Sequence, residues 1–178
     1  ELLPFLLVEP NNTGSVSDDF EVHRRAARKM VEGSCIGHFV ANELRVPFLV
    51  PVFPRPETDW HNYTHALDRD TILLSRGPLV RLDEQLAAMI RHARALLAQR
   101  GVEVHEKVLL TGFSASGTFA NRFTFLHPNL VLATACGGIN AIPMLPVEQL
   151  EETLLPYPLG LADFNSVFGH DFDREAWN

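Results

Sequence analysis

The residues best suited to chemistry lie in Gly112-Phe113-Ser114-Ala115-Ser116-Gly117, which follows the apolar run Val108-Leu-Leu-Thr111 and leads into a helical pattern over 115 to 127. An apolar strand, a tight turn bearing a serine and a helix are the local setting of a nucleophile elbow. Such a turn admits only small side chains two residues before and two after its nucleophile. Gly112 and Ser116 meet that requirement around Ser114, and Gly117 lets the helix approach the sheet. Ser114 then stands at the positive end of the helix, and the Ala115 N–H is placed to donate to an oxyanion. Taking Ser116 as the nucleophile puts Ser114 and Thr118 at the small-residue positions and the hydroxyl inside the helix, so Ser114 is the better nucleophile. The competing reading is a Gly/Ser turn, or a phosphate cradle, but the Lys-Ser/Thr ending of a P-loop is missing.

Other polar groupings are weaker. Trp60-His61-Asn-Tyr63-Thr-His65-Ala-Leu-Asp68-Arg-Asp70 sets two histidines four apart near two carboxylates. That spacing suits a metal on a helix face, yet no Glu follows the first histidine and the segment starts irregularly, so it reads as a polar loop and no metal is assigned. His23, His38, His92 and His105 read as isolated, partly exposed residues. Cys35 and Cys136 fit neither a disulfide framework nor a four-ligand zinc site, and read as two buried thiols.

The elements that must hold Ser114 alternate between strand and helix, the pattern of a mostly parallel sheet covered by helices. Leu2–Val8 is the first strand, ended by the turn cluster Pro10-Asn-Asn-Thr-Gly14. Ser17 and Asp18, with Glu21 as a capping-box partner, open a helix whose inner face is Phe20, Ala27, Met30 and Val31. Val46–Phe53 is a second strand, framed by prolines and therefore near the rim of the sheet. Residues 54–76 are too long for an ordinary connection and form a functional loop or small insertion. From Gly77-Pro78 a helix carries the stripe Leu79, Leu82, Leu86, Met89, Ile90, Ala93, Leu96 and Leu97, and Gly101 ends it. Leu130–Ala135 is a fourth strand. Residues 139–178 are proline-rich and irregular, with short helical pieces near Val147–Leu154 and Leu161–Phe168.

The 178 residues suit a single domain, with 46% apolar and 21% charged residues and a net charge of −7. The negative balance disfavours nucleic acid as a partner. Apolar runs fall far short of the roughly 20 residues that span a bilayer. No charged-then-apolar leader stands at the start of the sequence, and the compartment and oligomeric state are left open by it.

The string GFSASGTFANRFTFLHP, residues 112 to 128, resembles the elbow and following helix of the α/β-hydrolase family, in particular its polyhydroxyalkanoate-depolymerase-like and feruloyl-esterase-like members. The resemblance implies an α/β-hydrolase fold, a mostly parallel doubly wound sheet with helices on both faces. In it the first strand is central, the second lies on one side and the third and fourth on the other. It also implies a serine hydrolase that cleaves an ester or related acyl bond through a Ser114 acyl-enzyme, without a cofactor, on a small-molecule or polymeric ester. The loop after the first strand then supplies the second oxyanion donor, from the backbone of Asn12 or Thr13. The family order places the acid and then the histidine after the serine. Of the two histidines there, His127 sits at the far end of the nucleophile's own helix, about 20 Å away at 1.5 Å per residue. His170, beside Asp171 and Asp173, reads as part of a surface turn. The expectation is a chain that lacks its C-terminal strands, with no complete triad and little hydrolysis of its own; the alternative is a binding protein of the same fold without acid and base.

Overall fold

Four parallel strands form the central sheet of the computed structural model, which describes residues 3–10, 14–60, 65–139 and 142–177. They are β1 (Leu7–Val8), β2 (Phe48–Leu49), β3 (Val108–Phe113) and β4 (Val131–Gly137), in the order β2-β1-β3-β4. Leu7 is in register with Phe48 on one side and Leu109 on the other, and β3 pairs with β4 through Phe113–Gly137, with one irregularity at Val108/Leu109. The first strand is therefore central and the second lies at the rim. Strand order reverses between β1 and β3, the place where an open parallel sheet leaves a crevice at its carboxyl ends.

Alternation along the strands sends side chains to both faces of the sheet. Leu6, Val8, Val108 and Leu110 join one core with Leu82, Leu86 and Ile90 of α4 (Leu82–Gln99) and with Phe119 and Phe123 of α5 (Ala115–Leu126). Leu7 is buried outside that cluster, on the face where α2 (Ile36–Leu44) packs against β1, β2 and β3. The α2 helix comes so near that a Cβ on Gly37 would lie 2.6 Å from the Phe48 ring. Helices thus cover both faces, and the fold is α/β. No helix among the described residues is long and apolar enough to cross a membrane.

Local structure departs from the expectations in several places, beginning with the first two strands, which pair only over Leu7–Val8 and Phe48–Leu49 and not along the runs Leu2–Val8 and Val46–Phe53. The first helix, α1 (Phe20–Lys29), is capped by Asp19, whose carboxylate accepts the Glu21 N–H, and not by Ser17 or Asp18. Its buried residues are His23 and Ala27, while Phe20 is 51% exposed and Val31 is also exposed. A π-helical turn, Met30–Ser34, with Gly33 at φ 132°, then breaks the helix before α2. The long helix starts at Leu82, because Arg81 takes a left-handed conformation (φ 49°) before it.

Of the segment 54–76, the described residues 66–69 are anchored to the rest of the fold. Asp68 caps the short α3 (Arg69–Ile72), Arg122 donates to the Ala66 carbonyl at 2.8 Å, and the Tyr157 hydroxyl donates to the Leu67 carbonyl. Arg69 also pairs with Asp163 at 2.7 Å. Beyond residue 142, Gln149–Leu150 (β5) and Thr153–Leu154 (β6) form an antiparallel hairpin where a helical piece was expected. The helices α6 (Phe164–Phe168) and α7 (Arg174–Trp177) follow, the former matching the second expected piece.

Candidate active site

Ser114 has φ 60° and ψ −124°, a conformation that costs a non-glycine residue about 1–3 kcal/mol and persists only where its surroundings impose it. Here they do. The Ser114 N–H donates to the Gly137 carbonyl at the end of β4 (2.9 Å), and its own carbonyl accepts from the Thr118 N–H (3.0 Å) and the Thr118 hydroxyl (3.2 Å). The Ser116 hydroxyl accepts the Phe113 N–H and donates to the Phe113 carbonyl, both at 2.9 Å. A Cβ on Gly112 would lie 2.4 Å from the Ser116 carbonyl oxygen, and one on Gly117 would lie 2.7 Å from the Gly137 carbonyl oxygen. The glycines are thus a steric requirement of the turn. The two serines are separated as well: Ser116 is fully buried with its hydroxyl engaged, whereas Ser114 is partly exposed at the carboxyl end of β3.

Ala115 is the first residue of α5, so its N–H has no acceptor within the helix and points with the helix dipole. Asn12 and Thr13, the expected partners in an oxyanion hole, lie outside the described residues. What flanks them is firmly held. Glu9 donates its N–H to the Leu49 carbonyl (3.1 Å), and its carboxylate accepts the Gly37 N–H at 2.6 Å. Burial raises the Glu9 pKa, against the lowering effect of the Gly37 and Cys35 hydrogen bonds. On the other side of the loop, Arg55 donates to the Gly14 carbonyl at 3.1 Å. The chain therefore leaves β1 and enters α1 at fixed points. Nothing in the residue pattern around Glu9 announced a buried carboxyl group.

Neither histidine after Ser114 reaches it. His127 Nε2 lies 3.1 Å from Asp83 Oδ2, at the far end of α5. Asp83 is fully buried and takes two bonds from Arg81, at 2.8 and 2.6 Å. Burial alone would raise the Asp83 pKa, but the hydrogen bonds of Arg81 and His127 overcome it and hold the carboxyl at about 2. Asp83, Glu84 and His127 offer ligand atoms within 4.8 Å of one another, as a metal site would. The Arg81 guanidinium already bonds to both carboxylates and supplies the positive charge there. His170 is exposed and its Nδ1 meets the Asp171 carbonyl oxygen at 2.9 Å. Among the described residues, no histidine is hydrogen-bonded to Ser114.

In the segment Trp60–Asp70, His65 and Asp68 have structural partners. His61 lies outside the described residues, His65 is buried with Nε2 3.2 Å from the Phe53 carbonyl oxygen, and Asp68 caps α3. His23 is not partly exposed as its sequence setting suggests but buried, with Nε2 2.8 Å from the Ser17 carbonyl oxygen and 3.3 Å from the Arg55 N–H nitrogen. Cys35 and Cys136 are free thiols as expected, but of intermediate burial and not fully buried.

No family model matches the chain, and no curated protein and no solved structure matches it either.

Proposed function

We propose that the protein is a serine hydrolase of the α/β-hydrolase fold that cleaves an ester or related acyl bond. The observation that carries this reading is the strained backbone of Ser114, held between a parallel strand and a helix N-terminus by the bonds of Gly137, Ser116 and Thr118. Such strain at a partly exposed serine is what a nucleophile needs and a plain turn does not. In the proposed reaction Ser114 Oγ adds to the substrate carbonyl while a base takes its proton. The tetrahedral oxyanion lies against the Ala115 N–H and a donor from the Asn12/Thr13 loop. Collapse expels the alcohol, which receives the proton, and water then releases the acid and restores the serine.

A second reading is favoured by one observation, that no described histidine bonds to Ser114. These 178 residues would then keep the elbow and bind without turning over. A fluorophosphonate probe separates the two. Labelling at Ser114 that is lost in Ser114→Ala, with the fold retained by circular dichroism, is the result expected of the hydrolase. Labelling at Ser116, or none on a folded chain, would overturn it.

A further inference from the structure

A cleft of about 620 Å³ opens beside the loop that follows β1, walled by the start of α1, the chain after β2 and the approach to α4. Its size falls in the range of small-molecule sites, roughly 300–1,000 Å³. It lies past the carboxyl ends of β1 and β2, on the side of the sheet where open α/β proteins bind ligands. Its walls are tied together. Ser17 N–H donates to the Arg55 carbonyl at 3.0 Å, and Asp18 Oδ1 accepts from both the Thr58 N–H (3.2 Å) and the Thr58 hydroxyl (3.0 Å). His23 and the Arg55–Gly14 bond brace the same two loops.

The lining states what could bind. Phe20, Pro54, Pro56, Leu74 and Pro78 give it apolar walls, and Phe20 is half exposed and outside the core cluster. The polar groups are mostly acceptors. Asp18 spends only one carboxylate oxygen on Thr58, and Gln85 spends its amide NH₂ on the Pro78 and Val80 carbonyls (2.8 and 2.9 Å), which leaves its carbonyl to accept. Asp59 also stands in the lining, and among its described residues Arg76 is the one Lys or Arg.

We propose that this cleft binds a ring compound that is uncharged or cationic and carries a hydrogen-bond donor, and that it discriminates against carboxylates. The ring packs on Phe20 and the prolines, and the donor meets Asp18 and Gln85. Under the hydrolase reading, on which this step alone rests, the cleft holds the part of the ester remote from the scissile carbonyl.

The test is direct binding of 2-phenylethylamine, 2-phenylethanol and phenylacetate, measured by ligand-observed NMR on the unaltered chain. None of the three is an ester, so turnover plays no part. The amine and the alcohol are expected to bind, with phenylacetate weaker by about tenfold or more. Phe20→Ala should weaken the amine and the alcohol by about tenfold, since it removes an exposed ring and no core contact. Asp18→Asn, which keeps the oxygen that Thr58 uses, should narrow the gap between amine and phenylacetate, and Arg76→Gln should widen it. Equal or tighter binding of phenylacetate, no binding of any probe, or unchanged affinities in Phe20→Ala would overturn the proposal. If the probes bind as expected but Ser114 is not labelled, the hydrolase reading fails and the cleft stands.

Discussion

The Ser116 hydroxyl bonds to both backbone groups of Phe113, accepting its N–H and donating to its carbonyl at 2.9 Å each. It thereby closes the turn from inside, one residue before the strained Ser114. Replacing Ser116 with Ala keeps the volume small and leaves both groups without that partner. The expected result is a loss of about 1–2 kcal/mol in urea unfolding and roughly tenfold slower fluorophosphonate labelling of Ser114. Unchanged labelling would mean that Gly137 and the helix alone hold the elbow.

Gly112→Ala and Gly117→Ala should each destabilise by about 1–3 kcal/mol or more, because the new methyl meets backbone, which has little room to give. At Gly112 it would lie 2.4 Å from the Ser116 carbonyl oxygen, and at Gly117 2.7 Å from the Gly137 carbonyl oxygen. Gly14→Ala is the control, with no described atom within 4 Å of its added Cβ, and its melting temperature should stay near the parent value.

Asp83 ties acid stability to the contact between α4 and α5. Its carboxyl is held at about 2, below the ordinary 3.8, by Arg81 and His127 acting against the cost of burial. A depressed carboxyl pKa stabilises the fold fully above the unfolded value and loses that contribution as the pH falls from about 4 to 2. The shift amounts to about 2 kcal/mol. Urea midpoints measured from pH 5 down to 2 should fall in the parent and fall less steeply in Asp83→Asn. At pH 7 the variant should be weaker by about 1–3 kcal/mol, since Arg81 and His127 lose a charged acceptor while Arg81, a third exposed, keeps Glu84.

Both thiols should be slow nucleophiles. Burial pushes Cys35 and Cys136 up to about 11, with the neighbouring Glu9 carboxylate adding to the rise at Cys35. Alkylation by iodoacetamide at pH 7.5 should proceed at least tenfold more slowly in the folded chain than in urea, where both thiols return to ordinary values. Equal rates in the two conditions would contradict the burial described for these residues.

The tight turn at Ser114 was legible in the sequence because its determinants are local. Gly112, Ser114, Ser116 and Gly117 fall within six residues, and steric exclusion at that range acts through the chain itself, so residue type and spacing suffice. The stripe of α4 was legible for the same reason, since one helical period decides which of its residues turn inward, although its start moved to Leu82 when Arg81 took a left-handed conformation. The order of the strands came from the resemblance and not from their residues.

Other features depend on partners distant in sequence. His127 and Asp83 are 44 residues apart, and His23 is buried because the chain after β2 returns to place Arg55 against it, 32 residues away. Phe20, apolar and on the expected inner face, is exposed because Asp19 caps the helix and its packing face runs through His23 and Ala27 instead. The hairpin at 149–154 likewise replaces a helical reading of a short segment with weak periodicity. Local preference in such segments amounts to tenths of a kcal/mol per residue, whereas burying a side chain or pairing a charge is worth one or more. Sequence alone therefore determined the turn that presents Ser114. Which histidines are committed elsewhere, and where a cleft opens beside the sheet, were decided only when distant segments packed together.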